Sequence, residues 1–330
     1  MRAATVTAFG DPKNLHLVDA ADPHPAPGQC LIAIEACDVL FLDTMLRSGR
    51  VPQEMLPTLP WIPGNGVAGH VAAVGEGVSE RWVGRPVGAH TGNVGGYAEL
   101  AAVAVRDVVP IPDGVDLRTA AALLHDGPTA IKLMEVTEVS SDSRVLVLGA
   151  SGGLGLALVQ LACARAERVV AVARDAAKRE RIAALGPDAV IDPEVADWTR
   201  AASEALGPGG ATVILDNVGT SLGPDAFALL ATGGRFSAHG THGGPFTELD
   251  PDQVRARQAT VTGIEHVQFS PAQLAELTRR AFDAAATGEL RPVIGQTFPL
   301  QQAANAHRAI EARQVFGKTL LIPCDPAAVG

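Results

Sequence analysis

The chain has 330 residues, 47% of them hydrophobic and 19% charged, with a formal net charge of −10. That length suits two domains with sizeable cores, and the acidic balance argues against a nucleic-acid surface, which needs clustered Lys and Arg. The opening MRAATVTAFGDP has no long apolar run behind Arg2, and no apolar stretch reaches the roughly 20 residues of a membrane helix, so a cytoplasmic protein without signal peptide or membrane span is expected.

The part up to about residue 120 is rich in Pro and Gly. Short β-type runs, Gln29–Ala36, Gly66–Val74 and Gly96–Val105, stand between turn signals such as Pro27-Gly28, Pro63-Gly64 and Pro112-Asp113-Gly114. This pattern predicts a β-rich domain with few helices. From Leu117 onward strands and helices alternate. Leu117–Leu124 and Thr129–Val139 read as helices, Arg144–Leu148 as a strand, and Leu154–Ala166 as a helix. Strands follow at Arg168–Ala173, Asp188–Asp192, Thr212–Asp216, Gly234–His239 and Ala259–Ile264, with helices at Ala176–Leu185, Thr199–Leu206 and Pro224–Leu230 between them. Apolar strands that do not alternate, spaced by helices, indicate a parallel sheet covered on both faces. The tail reads as a long helix Pro271–Thr287 capped by Ser270, a strand Val293–Leu300, a helix Gln301–Arg313 and a strand Lys318–Ile322, and it is expected to return to the first domain. The boundaries that follow are 1–122 with the return 268–330 for the β-rich domain, and 123–267 for the doubly wound α/β domain.

Val145–Gln160 (VLVLGASGGLGLALVQ) joins a strand to a helix through glycines. Gly152 lets backbone approach a pyrophosphate, Gly155 lets the helix pack closely on the sheet, and the first helical amides face the phosphates. The strict G-x-G-x-x-G pattern fails, because Ala150 holds the first glycine position. A nicotinamide dinucleotide is the ligand this turn suggests. At the end of the second strand the chain reads Ala173-Arg174-Asp175, then Lys178-Arg179. No acid sits at the strand tip, and Arg174 with Lys178 can converge on a 2′-phosphate, which points to NADPH. A solvated basic helix start is the alternative, and Asp175 leaves NAD open.

The order of parts resembles the medium-chain dehydrogenase/reductase superfamily, and within it the zinc-free quinone oxidoreductase branch. The matching pieces are Phe41–Thr44 with Arg47–Gly49, Pro63-Gly64, Gly69, Val74-Gly75, Gly95–Glu99, Gly127–Ala130, Asp216–Gly219 and Phe316–Thr319. The resemblance implies a Rossmann doubly wound parallel sheet, a GroES-like catalytic domain, a cleft between them and a homodimer. It implies reduction of a quinone or an activated C=C bond by NADPH. It also implies cofactor contacts from Leu40, Thr129, Ser151, Gly152, Gly153, Leu154, Asn217, Val218, His239, Gly240, Phe316 and Lys318, beside Arg174 and Lys178.

Zinc-dependent relatives carry Cys where this chain has Leu40, and His-Glu where it has Asn65-Gly66, so no catalytic zinc is expected. None of the cysteines, Cys30, Cys37, Cys163 and Cys324, lies in a C-x-x-C pair, and isolated reduced thiols are expected. Quinone reductases of this type often have Asn at Leu40, Tyr at Pro193 and Glu at Gly66. Those departures leave open a pathway-specific enone or enoyl reductase, or an NADPH-binding sensor or structural protein without turnover. Candidates for the chemistry are Thr129, whose hydroxyl would reach cofactor or substrate, and Asp43 with Arg47 as an i, i+4 pair. Either His239 or His242, in the Gly-rich loop after a strand, could deliver a proton. Tyr97 is expected to pack a strand. The partner is a small-molecule substrate, with neither nucleic acid nor membrane.

Overall fold

The structure is a computed structural model that describes residues 1–323; Cys324 lies outside the described residues. In chain order the first stretch holds β1 (Arg2–Val6), β2 (Leu15–Asp19), β3 (Gln29–Val39), α1 (Phe41–Ser48), β4 (Gly66–Val74), β5 (Pro86–His90), β6 (Leu100–Ala104), β7 (Val108–Pro110) and α2 (Leu117–Leu123). The middle holds α3 (Asp126–Val136), β8 (Arg144–Leu148), α4 (Gly153–Cys163), β9 (Arg168–Val172), α5 (Ala176–Ala183), β10 (Ala189–Ile191), α6 (Trp198–Leu206), β11 (Ala211–Asp216), α7 (Gly223–Phe227), β12 (Leu230–Ala238), α8 (Pro251–Ala256) and β13 (Thr260–Gly263). The last stretch holds α9 (Pro271–Thr287), β14 (Ile294–Pro299), α10 (Ala303–Glu311) and β15 (Lys318–Ile322). Among the described residues two compact units result: residues 1–125 with 270–323, and residues 126–269.

The first unit is built on a seven-stranded sheet ordered β14-β15-β3-β4-β5-β7, with β6 also pairing β3. Its pairs are antiparallel except β14 with β15. β3 shows why this sheet forms. Cys30, Ile32 and Ile34 are buried while the residues between them are not, the period-2 pattern of a strand with one face on a core. The tail returns here, since Leu321 of β15 pairs with Cys37 of β3. The strands β1, β2, β5 and β7 and the helix α1 were not marked by the sequence patterns. They are short, and two of them, β5 and β7, carry a Pro or a Gly that blurs their periodicity.

The second unit is a six-stranded, all-parallel sheet ordered β10-β9-β8-β11-β12-β13. Renumbered within the unit, that is 3-2-1-4-5-6, the order of a dinucleotide-binding Rossmann sheet. Val145, Leu146, Val147 and Leu148 of β8 are wholly buried, as a central strand covered on both faces requires. The strand order reverses between β8 and β11, and the loops leaving their carboxyl ends flank that switch point. Among the described residues no helix is long and apolar enough to cross a membrane.

Candidate functional site

The loop after β8 is shaped by its glycines. Gly149 has a positive φ of 66°, and a side chain there would meet Val218 Cγ2 at 2.9 Å. At Gly155 a Cβ would lie 2.4 Å from the Gly149 carbonyl oxygen and 2.8 Å from Ala150 Cα, so this glycine is what lets α4 press against the turn. Gly152 is different: it is the N-cap of α4, it is exposed, and a Cβ there would meet nothing within 4 Å. No side chain caps the helix. The amides of Gly153, Leu154 and Gly155 have no carbonyl behind them in the helix, and such amides attract an anion. Ser151, Gly153 and Leu154 are half-buried around them. The Ala150 N–H donates to the Val172 carbonyl and ties the turn to the end of β9.

A second group of residues holds the loop after β11 against that turn. Asn217 Nδ2 donates to the Leu148 carbonyl at 2.8 Å, which leaves its Oδ1 as an acceptor 2.8 Å from His239 Nε2. His239 therefore carries its proton on Nε2, and its Nδ1 accepts from the Ser237 hydroxyl at 3.0 Å. Burial lowers His239 to about 4. A neutral imidazole with both nitrogens engaged is a poor proton donor near neutrality, which corrects the expectation that His239 delivers the proton. The Asp216 carboxylate accepts from the amides of Val218 and Gly219 and from the Thr247 hydroxyl, so Asn217 and Val218 sit on a fixed turn. Gly240 packs directly on Asn217, where a Cβ would lie 1.9 Å from its carbonyl carbon.

At the end of β9, Asp175 adopts a φ of 70° and folds its carboxylate back to cap α5, accepting from the Lys178 amide at 3.0 Å. Arg174 is exposed, with Glu194 at 3.9 Å. Partial burial and the Arg174 guanidinium hold the Lys178 ammonium below its ordinary range, against the pull of Asp175. Thr129 is buried in the second turn of α3.

The first unit arranges its candidates otherwise. Asp43 and Arg47 are both fully buried but do not form the expected pair. Asp43 is the N3 residue of α1. Its Oδ2 accepts from the Leu40 N–H at 2.9 Å and from the Tyr97 hydroxyl at 3.0 Å. Arg47 instead donates to the Gly10 carbonyl and pairs with Glu311 of α10. Tyr97, as expected, is buried in the core, and its oxygen also lies 3.0 Å from His307 Nε2. Because the Tyr97 proton goes to Asp43, His307 must donate to Tyr97. Burial is the main cause of three shifts: Asp43 rises to about 6, Tyr97 rises well above its ordinary value, and His307 falls to about 3. Leu40 is the buried N-cap of α1. Lys318 forms a buried ion pair with Asp38 at 2.7 Å, and Phe316 is buried. His307, Glu311 and Asn93 were missed from sequence. Their partners lie 210, 264 and 28 residues away, and only the singularity of Tyr97 hinted at a cluster.

At the positions where zinc-dependent relatives carry ligands, Leu40 is apolar, Gly66 abuts Leu124, and Asn65 Oδ1 accepts from the Asn93 amide. Cys37 is buried and its thiol is pushed well above its ordinary range, chiefly by desolvation. Among the described residues no three His, Cys, Asp or Glu are placed to hold a metal. These residues do not fit a catalytic zinc.

A Rossmann sheet in one unit and a β-rich unit completed by the chain's tail together define a medium-chain dehydrogenase/reductase. A model described as alcohol dehydrogenase GroES-like domain matches residues 26–113, and one described as zinc-binding dehydrogenase matches residues 185–321. The rat quinone oxidoreductase is 32% identical over 325 residues, 98% of each chain. A mycobacterial protein solved in complex with NADPH is 33% identical with a TM-score of 0.89, covering 98% of this chain and all of that one. The Escherichia coli quinone oxidoreductase, also solved with NADPH, is 26% identical with a TM-score of 0.89 over 98% of this chain and 100% of that one. The chain belongs to the quinone oxidoreductase family of the medium-chain dehydrogenases/reductases, and is an oxidoreductase of that type.

Proposed function

We propose that this oxidoreductase is NADPH-dependent and zinc-independent, and that it reduces a quinone or an α,β-unsaturated carbonyl. The observation that carries the proposal is the turn at Gly152. It has open space in front of the uncapped start of α4, and two cations, Arg174 and Lys178, stand at the end of the next strand. Gly152, Gly153 and Leu154 would hold the pyrophosphate through backbone amides, with Ser151 beside them. Asn217, Val218 and Gly240 wall the turn on its other side. Arg174 and Lys178 would take the 2′-phosphate, and an anion there would relieve the depression of Lys178. Asp175 does not compete for a ribose hydroxyl, because its carboxylate caps α5.

Bound there, the nicotinamide supplies hydride to an electron-poor acceptor. Thr129 is assigned to the nicotinamide end as a hydroxyl donor. Asp43 is a positioning residue: through the Leu40 amide it fixes the start of α1. Arg47 anchors the same helix from its other end. No residue at the expected zinc positions polarises the acceptor, so its activation falls to hydrogen bonds.

Supporting homodimerisation, β13 is an outer strand of its sheet with Val261 exposed on it, an edge that a second copy would cover. A cytoplasmic location completes this reading.

The test is steady-state oxidation of NADPH and NADH with a panel of quinones and enones, in the wild type and in Arg174→Ala. NADPH is expected to be preferred, and the substitution to weaken NADPH at least about tenfold while leaving NADH unchanged. Tighter binding of NADH by the wild type would refute the coenzyme assignment. NADPH binding without turnover of any acceptor would refute the enzyme.

A further inference from the structure

Asp216 is a buried carboxylate that no cation neutralises. It ends β11 and is fully buried. Its Oδ1 accepts from the Val218 and Gly219 amides at 2.8 and 2.9 Å, and its Oδ2 accepts from the Thr247 hydroxyl at 2.6 Å. Among the described residues no Lys, Arg or His pairs with it. Both oxygens take hydrogen bonds, as those of an ionised carboxylate do. Burial raises this carboxyl above its ordinary range, and the three donors oppose the rise. A buried charge is costly unless an opposite charge meets it, and within the described chain none does.

The loops around Asp216 hold that charge in place. The Gly243 amide donates to the Val218 carbonyl at 2.6 Å, and the Thr220 amide donates to the Pro245 carbonyl at 3.0 Å. The loop after β12 is thereby stitched to the loop after β11. Their join is tight: a Cβ on Gly223 would lie 1.9 Å from Thr247 Oγ1, and one on Gly243 would lie 2.3 Å from Ser221 Oγ. In a sheet of order 3-2-1-4-5-6 a dinucleotide crosses the carboxyl edge, one half on each side of the switch point. The proposed function gives the pyrophosphate and the 2′-phosphate to the turn after β8 and to the end of β9. The ends of β11 and β12 are left for the nicotinamide, and Asp216 lies at their base.

We propose that Asp216 is the counter-charge for the oxidised coenzyme: its carboxylate favours a positively charged nicotinamide ring over the neutral, reduced one. This rests on the proposed function and deepens it. When bound, the coenzyme passes its hydride with both electrons to the acceptor, which completes its reduction with a proton, and the nicotinamide ring goes from neutral to singly positive. A fixed anion in a water-poor interior favours that change without having to reorganise. Two unit charges about 10 Å apart at an effective dielectric of about 20 attract enough for roughly a tenfold preference. Thr247 is a positioning residue here: it holds the carboxylate and closes one loop on the other, and it adds no charge.

The test is calorimetric: Kd for NADP⁺ and for NADPH, with the full chain and no acceptor. Asp216→Asn removes the charge, while its oxygen still accepts from the two amides and its NH₂ donates to Thr247 Oγ1. Thr247→Val keeps the charge and the shape and loses the hydroxyl alone. In Asp216→Asn the ratio of the NADP⁺ Kd to the NADPH Kd is expected to rise roughly five- to tenfold. In Thr247→Val both affinities should fall together, with the ratio within about twofold of the wild type, because the charge stays. Asp216→Ser, whose hydroxyl accepts from the same amides, repeats the measurement if Asp216→Asn does not fold. A ratio unmoved by loss of the charge, or moved as far by Thr247→Val, would overturn the counter-charge and leave the proposed function standing. A ratio that follows the charge in a protein that turns over no quinone or enone would uphold the counter-charge and sink the proposed function. A wild type that binds neither NADP⁺ nor NADPH would overturn both.

Discussion

The two units solve the same problem, a buried histidine, in opposite ways. In the Rossmann unit a chain runs from the Ser237 hydroxyl through His239 and Asn217 to the Leu148 carbonyl, and every group in it is neutral and paired. In the β-rich unit His307 joins Tyr97 and Asp43, but Asp43 Oδ1, His307 Nδ1 and Arg47 Nε are all buried without a hydrogen-bond partner among the described residues. The first arrangement fixes the shape of a loop next to the glycine turn. The second places a carboxylate and a guanidinium where each is costly, and it makes the unit respond to pH. A ligand surface is served best by the first kind, because a satisfied neutral network has one low-energy geometry.

The largest expected effect breaks the satisfied network. Asn217→Ala leaves the Leu148 carbonyl and His239 Nε2–H buried and unpaired together, which should cost about 3 kcal/mol in urea unfolding. The loop it holds walls the glycine turn, so NADPH affinity should fall with it. Tyr97→Phe also removes a shared group, yet Asp43 keeps the Leu40 amide, so about 2 kcal/mol is expected, with NADPH affinity unchanged. Equal costs for the two variants would erase the distinction between the networks.

Glycines of the turn give the next test, because two of them differ in kind. Gly155→Ala sets a methyl against the backbone of Gly149 and Ala150, an overpacking of about 1–3 kcal/mol. Gly152→Ala meets nothing, so stability should hold within about 0.5 kcal/mol. NADPH affinity should nonetheless drop about tenfold, since the methyl would stand where backbone must approach the pyrophosphate. A destabilised Gly152→Ala, or one that binds NADPH normally, would remove this turn from the proposed site.

These two regions were also unequally legible in the sequence. Strands β8, β9 and β11 announce themselves as unbroken apolar runs, and the order of helices between them dictates a parallel sheet. The helix Pro271–Thr287 could be bounded to the residue, because Ser270 and Pro271 start it and Gly288, at a φ of 78°, stops it. The glycine turn was legible for the same reason: its signal is local. The Asp43–Tyr97–His307 cluster has no local signal, since its members come from α1, a loop and α10. Spacing on α1 suggested an Asp43–Arg47 pair. Tertiary partners prevailed: Asp43 serves the start of its own helix, and Arg47 reaches Glu311 on another.

The smallest expected effect is the one that isolates the costly network. His90, His239 and His307 are lowered to about 4, 4 and 3, each chiefly by burial. The unfolded chain protonates such groups near 6.5, before the folded one does, so stability is lost as pH falls below that value. Asp43 has the opposite sign. The folded chain takes up its proton near 6 and the unfolded chain only near 4, so this carboxyl adds stability as pH falls from 7 to 4. Asp43→Asn deletes that contribution while its amide oxygen can still accept from Leu40 and Tyr97. Between pH 8 and pH 5 the variant should therefore lose about 1 kcal/mol more than the wild type in urea unfolding. At pH 8, where the wild type holds a buried carboxylate short of donors, the variant should be at least as stable. Parallel pH curves for the two proteins would mean that Asp43 is not the titrating member of the cluster, and the contrast between a neutral network and a charged one would then fail at its central residue.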